Sequence, residues 1–164
     1  DTATSVTVEF ADHGIYEVVA YAMDEKNMRE STTVTIRIDL NIEWSEQSTH
    51  EPSDLSIDPI PKNGGPHPVA IFIDSTVENP ELIENIGGGR DVEITWRLFD
   101  QAGEACLVRK GVVEEGDSAN WEAFHYNTYE IHELRISYDE GQDNIDVEQS
   151  ISLAYEHLES EPNP

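Results

Sequence analysis

The side chains best equipped for chemistry are one cysteine, six histidines and a large surplus of carboxylates. Cys106 is alone, so no disulfide can close within the chain. It lies in the strand-like run Glu104-Ala105-Cys106-Leu107-Val108, with no His or Asn pattern beside it. It therefore reads as a small buried apolar side chain rather than a nucleophile. His13, His50, His67, His125, His132 and His157 form no i, i+4 helical pair and have no Cys partners, which argues against a zinc site. His125 and His132 could meet across a turn, but their spacing fits separate surface positions better.

Oxygen ligands are more plentiful. The turn Asp139-Glu140-Gly141-Gln142-Asp143-Asn144-Ile145-Asp146 offers Asp139, Asp143 and Asp146 as calcium ligands, although the spacing of an EF-hand loop is missing. Asp24-Glu25 with Asn27 is a lesser candidate. No other cofactor is expected. Trp121, Tyr126 and Tyr129, with Phe124 nearby, could present a sugar-stacking platform, the alternative being sandwich core or an edge-loop plug. Gly87-Gly88-Gly89 leads into a strand rather than a helix, so it is a flexible loop and not a phosphate cradle. There is no Gly-x-Ser-x-Gly elbow, no His-Glu-x-x-His helix and no dinucleotide fingerprint. Carboxylate pairs occur everywhere and so carry no weight for a glycosidase. The chain is expected to be non-catalytic.

Charge limits the partners. Against 35 Asp and Glu stand nine Lys and Arg, for a formal net charge of -26. A surface so negative excludes nucleic acid and anionic membranes, which need clustered cations. Because the acids are spread over the polar faces of alternating segments, they suit a salty environment in which screening removes most of the self-repulsion. A halophilic or marine setting is expected. No apolar run approaches the length of a membrane span, so no membrane insertion is expected.

The elements that must carry these residues are strands. Thr4 to Phe10 alternates through Val6, Val8 and Phe10; Ile15 to Met23 follows the turn Ala11-Asp12-His13-Gly14; and Val34, Ile36, Ile38, Leu40, Ile42 and Trp44 form one side of the longest run. Residues 45–68 hold five prolines among Glu, Ser, Asp, Asn and Gly, a composition for a linker or long crossing loop. Alternation resumes at Val69 to Ile73, Asp91 to Phe99, Glu104 to Val113, Trp121 to Tyr126, Tyr129 to Tyr138 and Ile145 to Tyr155, with a break of phase near Glu133 and Trp96 facing inward. Asn79-Pro80-Glu81-Leu82-Ile83-Glu84-Asn85 is the one helix candidate, with Asn79 as its cap. Residues 159–164 read as a frayed tail.

The run from Val8 to Asp24, closed by Ser31-Thr32-Thr33-Val34-Thr35-Ile36-Arg37-Ile38, resembles the last three strands of a PKD (polycystic kidney disease) domain. The resemblance covers about a quarter of the chain, and the family's Trp-Asp-Phe-Gly-Asp-Gly-like segment is absent. It implies an immunoglobulin-like β-sandwich, an extracellular or cell-surface setting (or a periplasmic one), and no catalytic residue. The expected organisation is all-β in two modules: 1–44 as a partial PKD-like module, 45–68 as linker, and 69–158 as a second sandwich. The expected function is structural or adhesive, with other protein modules as partners. The alternatives are a carbohydrate-binding accessory domain with a polysaccharide partner, or a subunit of an extracellular filament or surface assembly that completes its sheet with a neighbour's strand.

Overall fold

A computed structural model describes residues 6–81 and 90–156. Among these the chain is all-β, with ten strands in three antiparallel sheets and no helix. The first two strands, β1 (Gly14–Met23) and β2 (Arg29–Ile38), pair only with each other, in register from Gly14↔Ile38 to Met23↔Arg29. Their turn is set by Asp24, whose side chain accepts from the amides of Lys26 and Met28, and by Asn27 at φ 61°. Asn is among the few non-glycine residues that tolerate this conformation.

The other strands build a two-layer sandwich. They are β3 (Asn41–Thr49), β4 (Leu55–Ile57), β5 (Ala70–Asn79), β6 (Val92–Phe99), β7 (Ala105–Val113), β8 (Asp117–His125), β9 (His132–Glu140) and β10 (Ile145–Ala154). One sheet has the order β3-β10-β5-β8 and the other β4-β9-β6-β7. Only β6 and β7 are neighbours both in sequence and in a sheet; every other connection within the sandwich crosses from one layer to the other. Eight strands wound in this way have the order of a jelly roll. The expected β-sandwich is present, but this strand order differs from the ABED and CFG sheets of an immunoglobulin constant-type domain.

Alternation decides which side chains fill the space between the layers. Ile71, Ile73 and Val77 of β5 meet Val92, Ile94, Trp96 and Leu98 of β6, with Leu134 and Ile136 of β9 and Val147, Ile151 and Leu153 of β10 completing the core. Trp96 is 1 % exposed and donates its indole N–H across the layers to Ser75 Oγ at 3.0 Å. Its ring fits because β7 carries a glycine diagonally across, paired with Ile94: a methyl group at Gly111 would sit 2.7 Å from the Trp96 ring.

The expected long strand up to Trp44 is two strands in different sheets. β2 ends at Ile38 and β3 begins at Asn41, with Leu40 packed against the core and its carbonyl accepting from Leu153 N at 3.1 Å. The segment 45–68 is correspondingly not a free linker. It holds the end of β3, all of β4 and the crossing between layers, and Pro52, Pro59, Pro61 and Pro68 are buried in it. Residues 6–10 form no strand. Asn79, expected to cap a helix, ends β5 with its side-chain amide donating to the carbonyls of Arg90 and Val113. Residues 82–85 of that candidate helix, Gly87-Gly88-Gly89, His157 and the tail lie outside the described residues.

Candidate functional site

At one end of the sandwich the β8–β9 crossing leaves one sheet and enters the other, and three reactive side chains meet there. His125 ends β8, His132 begins β9, and Cys106 stands near the start of β7. The cysteine owes its position to a β-bulge. Leu98 pairs with Leu107 and Phe99 with Ala105, so Cys106 is the extra residue that nothing on β6 opposes. Bulges turn a side chain out of the regular alternation, and here the thiol turns toward the two imidazoles. The sulfur and one nitrogen from each ring lie within 4.8 Å of one another.

The crossing is held firmly. Thr128 is buried, its hydroxyl donating to Pro68 O at 2.5 Å while its own carbonyl meets His67 Nδ1 at 2.8 Å. His132 is 1 % exposed and donates from Nε2 to the Asn127 carbonyl at 2.9 Å. A carbonyl only accepts, so in the neutral ring Nδ1 carries the lone pair, and Nδ1 is buried without a partner. His125 Nε2 is likewise buried without a partner, with the two rings edge to face at a centroid distance of 4.7 Å. Burial, then the neighbouring charge of His132, holds the His125 imidazole below its usual range. Burial, then the carboxylates of Asp100, Glu130 and Glu104, pushes the Cys106 thiol up. The side chain is nevertheless exposed overall, its S–H directed to Glu104 O at 3.8 Å, which corrects the expectation of a buried apolar residue. The expectation of separate surface positions for His125 and His132 is corrected too. No local spacing could have paired them with Cys106, because one bulge and one layer crossing create the contact.

The carboxylates expected to bind calcium are engaged separately. Asp139 accepts from the Thr95 hydroxyl, Asp146 accepts from Ser48 N at 2.7 Å, and Asp143 is 3 % exposed with Arg90 at 3.1 Å. The three do not converge on a common point among the described residues. In the Asp24 turn the carboxylate is likewise occupied by the two backbone amides of the hairpin. The aromatic candidates are divided as well. Trp121 faces inward beside Trp96, with ring centroids 6.2 Å apart, whereas Tyr126 and Tyr129 are 74 % and 72 % exposed. Tyr129 packs against His67, and Phe124 against Phe72 on the outer face of the sheet.

No family model matches the chain, and no curated protein matches it. Solved structures resemble it weakly, two of them as follows. One is from the Bacillus endospore appendages, described as a novel family of disulfide-linked pili: 13 % identity and TM-score 0.33, covering 94 % of this chain and all of that one. The other joins the ZmpB catalytic domain of Clostridium perfringens to two CBM51 domains: 11 % identity and TM-score 0.34, covering 93 % of this chain and 19 % of that one. Neither likeness assigns a role to any residue.

The β1–β2 ribbon is the second surface with functional potential. Its base is fixed to the sandwich by His13, whose Nε2 donates to Asp58 O at 3.2 Å and whose Nδ1 accepts from the Tyr155 hydroxyl at 2.6 Å. Burial first, then the charge of Asp39, pushes the Tyr155 hydroxyl up to about 12, so it remains a donor. Asn63 adds a bond from its amide to Ile15 O at 2.9 Å. Beyond this base one face of the ribbon presents Val18, Ala20, Ala22 and Val34, with Phe10 packed on Tyr16 at a centroid distance of 4.6 Å. The opposite face exposes Val19, Tyr21 and Met23.

Proposed function

We propose that the chain is a non-catalytic structural or adhesive module of a secreted or cell-surface protein, and that the β1–β2 ribbon is the part that engages a neighbouring protein module. One observation carries this reading. A hairpin of two ten-residue strands stands off the sandwich with apolar side chains exposed on both faces, and a two-stranded sheet alone is marginal in water. Charge supports it: the ribbon, residues 14–38, holds three of the nine Lys and Arg but only four of the 35 Asp and Glu. It is thus far less acidic for its length than the chain as a whole, and less repelled by another strongly acidic module. The rival carbohydrate-binding reading loses Trp121, which is part of the core.

Self-association measured by sedimentation over a wide concentration range in molar salt tests the proposal. The unmodified chain is expected to associate, and Val18→Thr with Val34→Thr, which keeps strand propensity while removing apolar surface, is expected to weaken it. A chain that stays monomeric throughout and captures no second module of its own parent protein would overturn the reading. The salty setting has its own measurement. The melting temperature should climb as salt rises from near zero toward molar concentration, because screening relieves the self-repulsion of a fold carrying -26. A flat or falling curve would reject it.

A further inference from the structure

We infer that Cys106, His125 and His132 form a binding site for a single borderline first-row transition-metal cation of the Zn2+ class, with a fourth coordination position open to solvent. The donor set is one thiolate and two imidazoles, the combination that suits zinc and its neighbours and not the hard cation Ca2+. Two buried nitrogens point to a ligand. His132, 1 % exposed, leaves Nδ1 without a partner, and His125 leaves Nε2 without one. An unpaired polar atom in the interior is costly, and one nitrogen of each of these two rings lies together with the thiol sulfur within 4.8 Å.

The surroundings match what a metal requires of its ligands. A metal-bound histidine usually gives its other N–H to a carbonyl or carboxylate, which fixes the tautomer and aims the lone pair. His132 does this through Asn127 O. Tetrahedral ligands around zinc stand about 3.3–3.6 Å apart, from metal–ligand lengths of about 2.0–2.3 Å. Closing from 4.8 Å to that spacing requires a movement of about 1.2–1.5 Å, to which rotation of the exposed Cys106 side chain contributes. On binding, the thiol loses its proton to solvent and the sulfur–metal bond forms, with no change of oxidation state. The S–H contact to Glu104 O is given up in this step. Water takes the fourth position on the exposed side. Glu130 is the carboxylate whose charge reaches both Cys106 and His125, and it offsets the charge of the cation.

The test uses the full chain stripped with a chelator and then titrated separately with Co2+, Zn2+ and Ca2+. One Co2+ per chain should bind with tetrahedral visible bands and a thiolate-to-cobalt charge-transfer band, and Zn2+ should displace it and raise the melting temperature. Ca2+ should do neither. Cys106→Ser should abolish the charge-transfer band and weaken Zn2+ binding by about 100-fold or more. His132→Gln should weaken Zn2+ to a similar degree. Should that buried variant fail to fold, the exposed Cys106→Ser variant carries the test alone. Cobalt that binds without the thiolate band, or Zn2+ affinity unchanged in Cys106→Ser, would place the metal elsewhere and overturn the proposal.

Discussion

The ribbon and the sandwich are made from the same local pattern and come to opposite ends. β2 alternates as β10 does and β1 is apolar on both of its faces, yet most of their residues are exposed, whereas β10 buries every second side chain from Ile145 to Leu153. Period-two alternation states that a strand has two faces; it does not state that either face meets another sheet. What separates the two regions is long-range pairing. β10 lies between β3 and β5, pairing with residues roughly 70 to 110 positions earlier, while β1 and β2 are joined by a turn and pair only with each other.

The sharpest way to break this contrast is to remove the centre of the sandwich. Trp96→Ala should cost about 3–5 kcal/mol in denaturant unfolding, the range for large core truncations, and should melt the sandwich with its ribbon. The reverse change, adding volume beside the same ring, should cost less. In Gly111→Ala the new methyl group meets the Trp96 ring at 2.7 Å, and overpacking of this kind costs about 1–3 kcal/mol.

The joint between the regions is weaker still. Tyr155→Phe removes the hydroxyl that His13 accepts, at about 0.5–1.5 kcal/mol, and should speed proteolysis within residues 14–38 before the sandwich opens. The same hydroxyl gives a pH signature. Its folded value of about 12 lies above the ordinary tyrosine value of 10.0, so the neutral phenol is favoured in the native state. The associated stability is therefore complete below pH 10 and is lost between about 10 and 12. Stability measured across that window should fall more steeply for the unmodified chain than for Tyr155→Phe. The smallest effect belongs to the ribbon itself. Val18→Thr with Val34→Thr should change global stability by less than about 0.5 kcal/mol, and a larger loss would mean that the ribbon supports the sandwich after all.

The all-β class, the inward Trp96 and most strand positions after residue 69 were legible because alternation is local. The layer order was not. The run from Val34 to Trp44 keeps its phase through Asp39 and Leu40, so nothing in the pattern marks the point where the chain leaves one sheet for another. The prolines of 45–68 read as a linker because proline breaks strands, yet four of them are packed where the chain passes between layers. Glu133 was expected to mark a bulge in β9; the register instead shifts where Asp139 lies between partners of Glu93 and Ile94. The cluster at Cys106 was hidden for a related reason. A bulge is an accident of pairing between two strands, and neither sequence alone reveals it.

The connection between β2 and β3 is only two residues, Asp39 and Leu40, which can span about 7 Å when fully extended. Leu40 is also pinned by its carbonyl to Leu153. This leaves no slack. A tug on the ribbon passes straight into β3, an edge strand whose ladder with β10 runs from Asn41 to Thr49. Pulled along its axis, that ladder resists with its hydrogen bonds strained together in shear, whereas a pull across it would part them one after another. The short joint therefore couples the ribbon to β3, and resistance to a pull on the ribbon depends on the direction of the load.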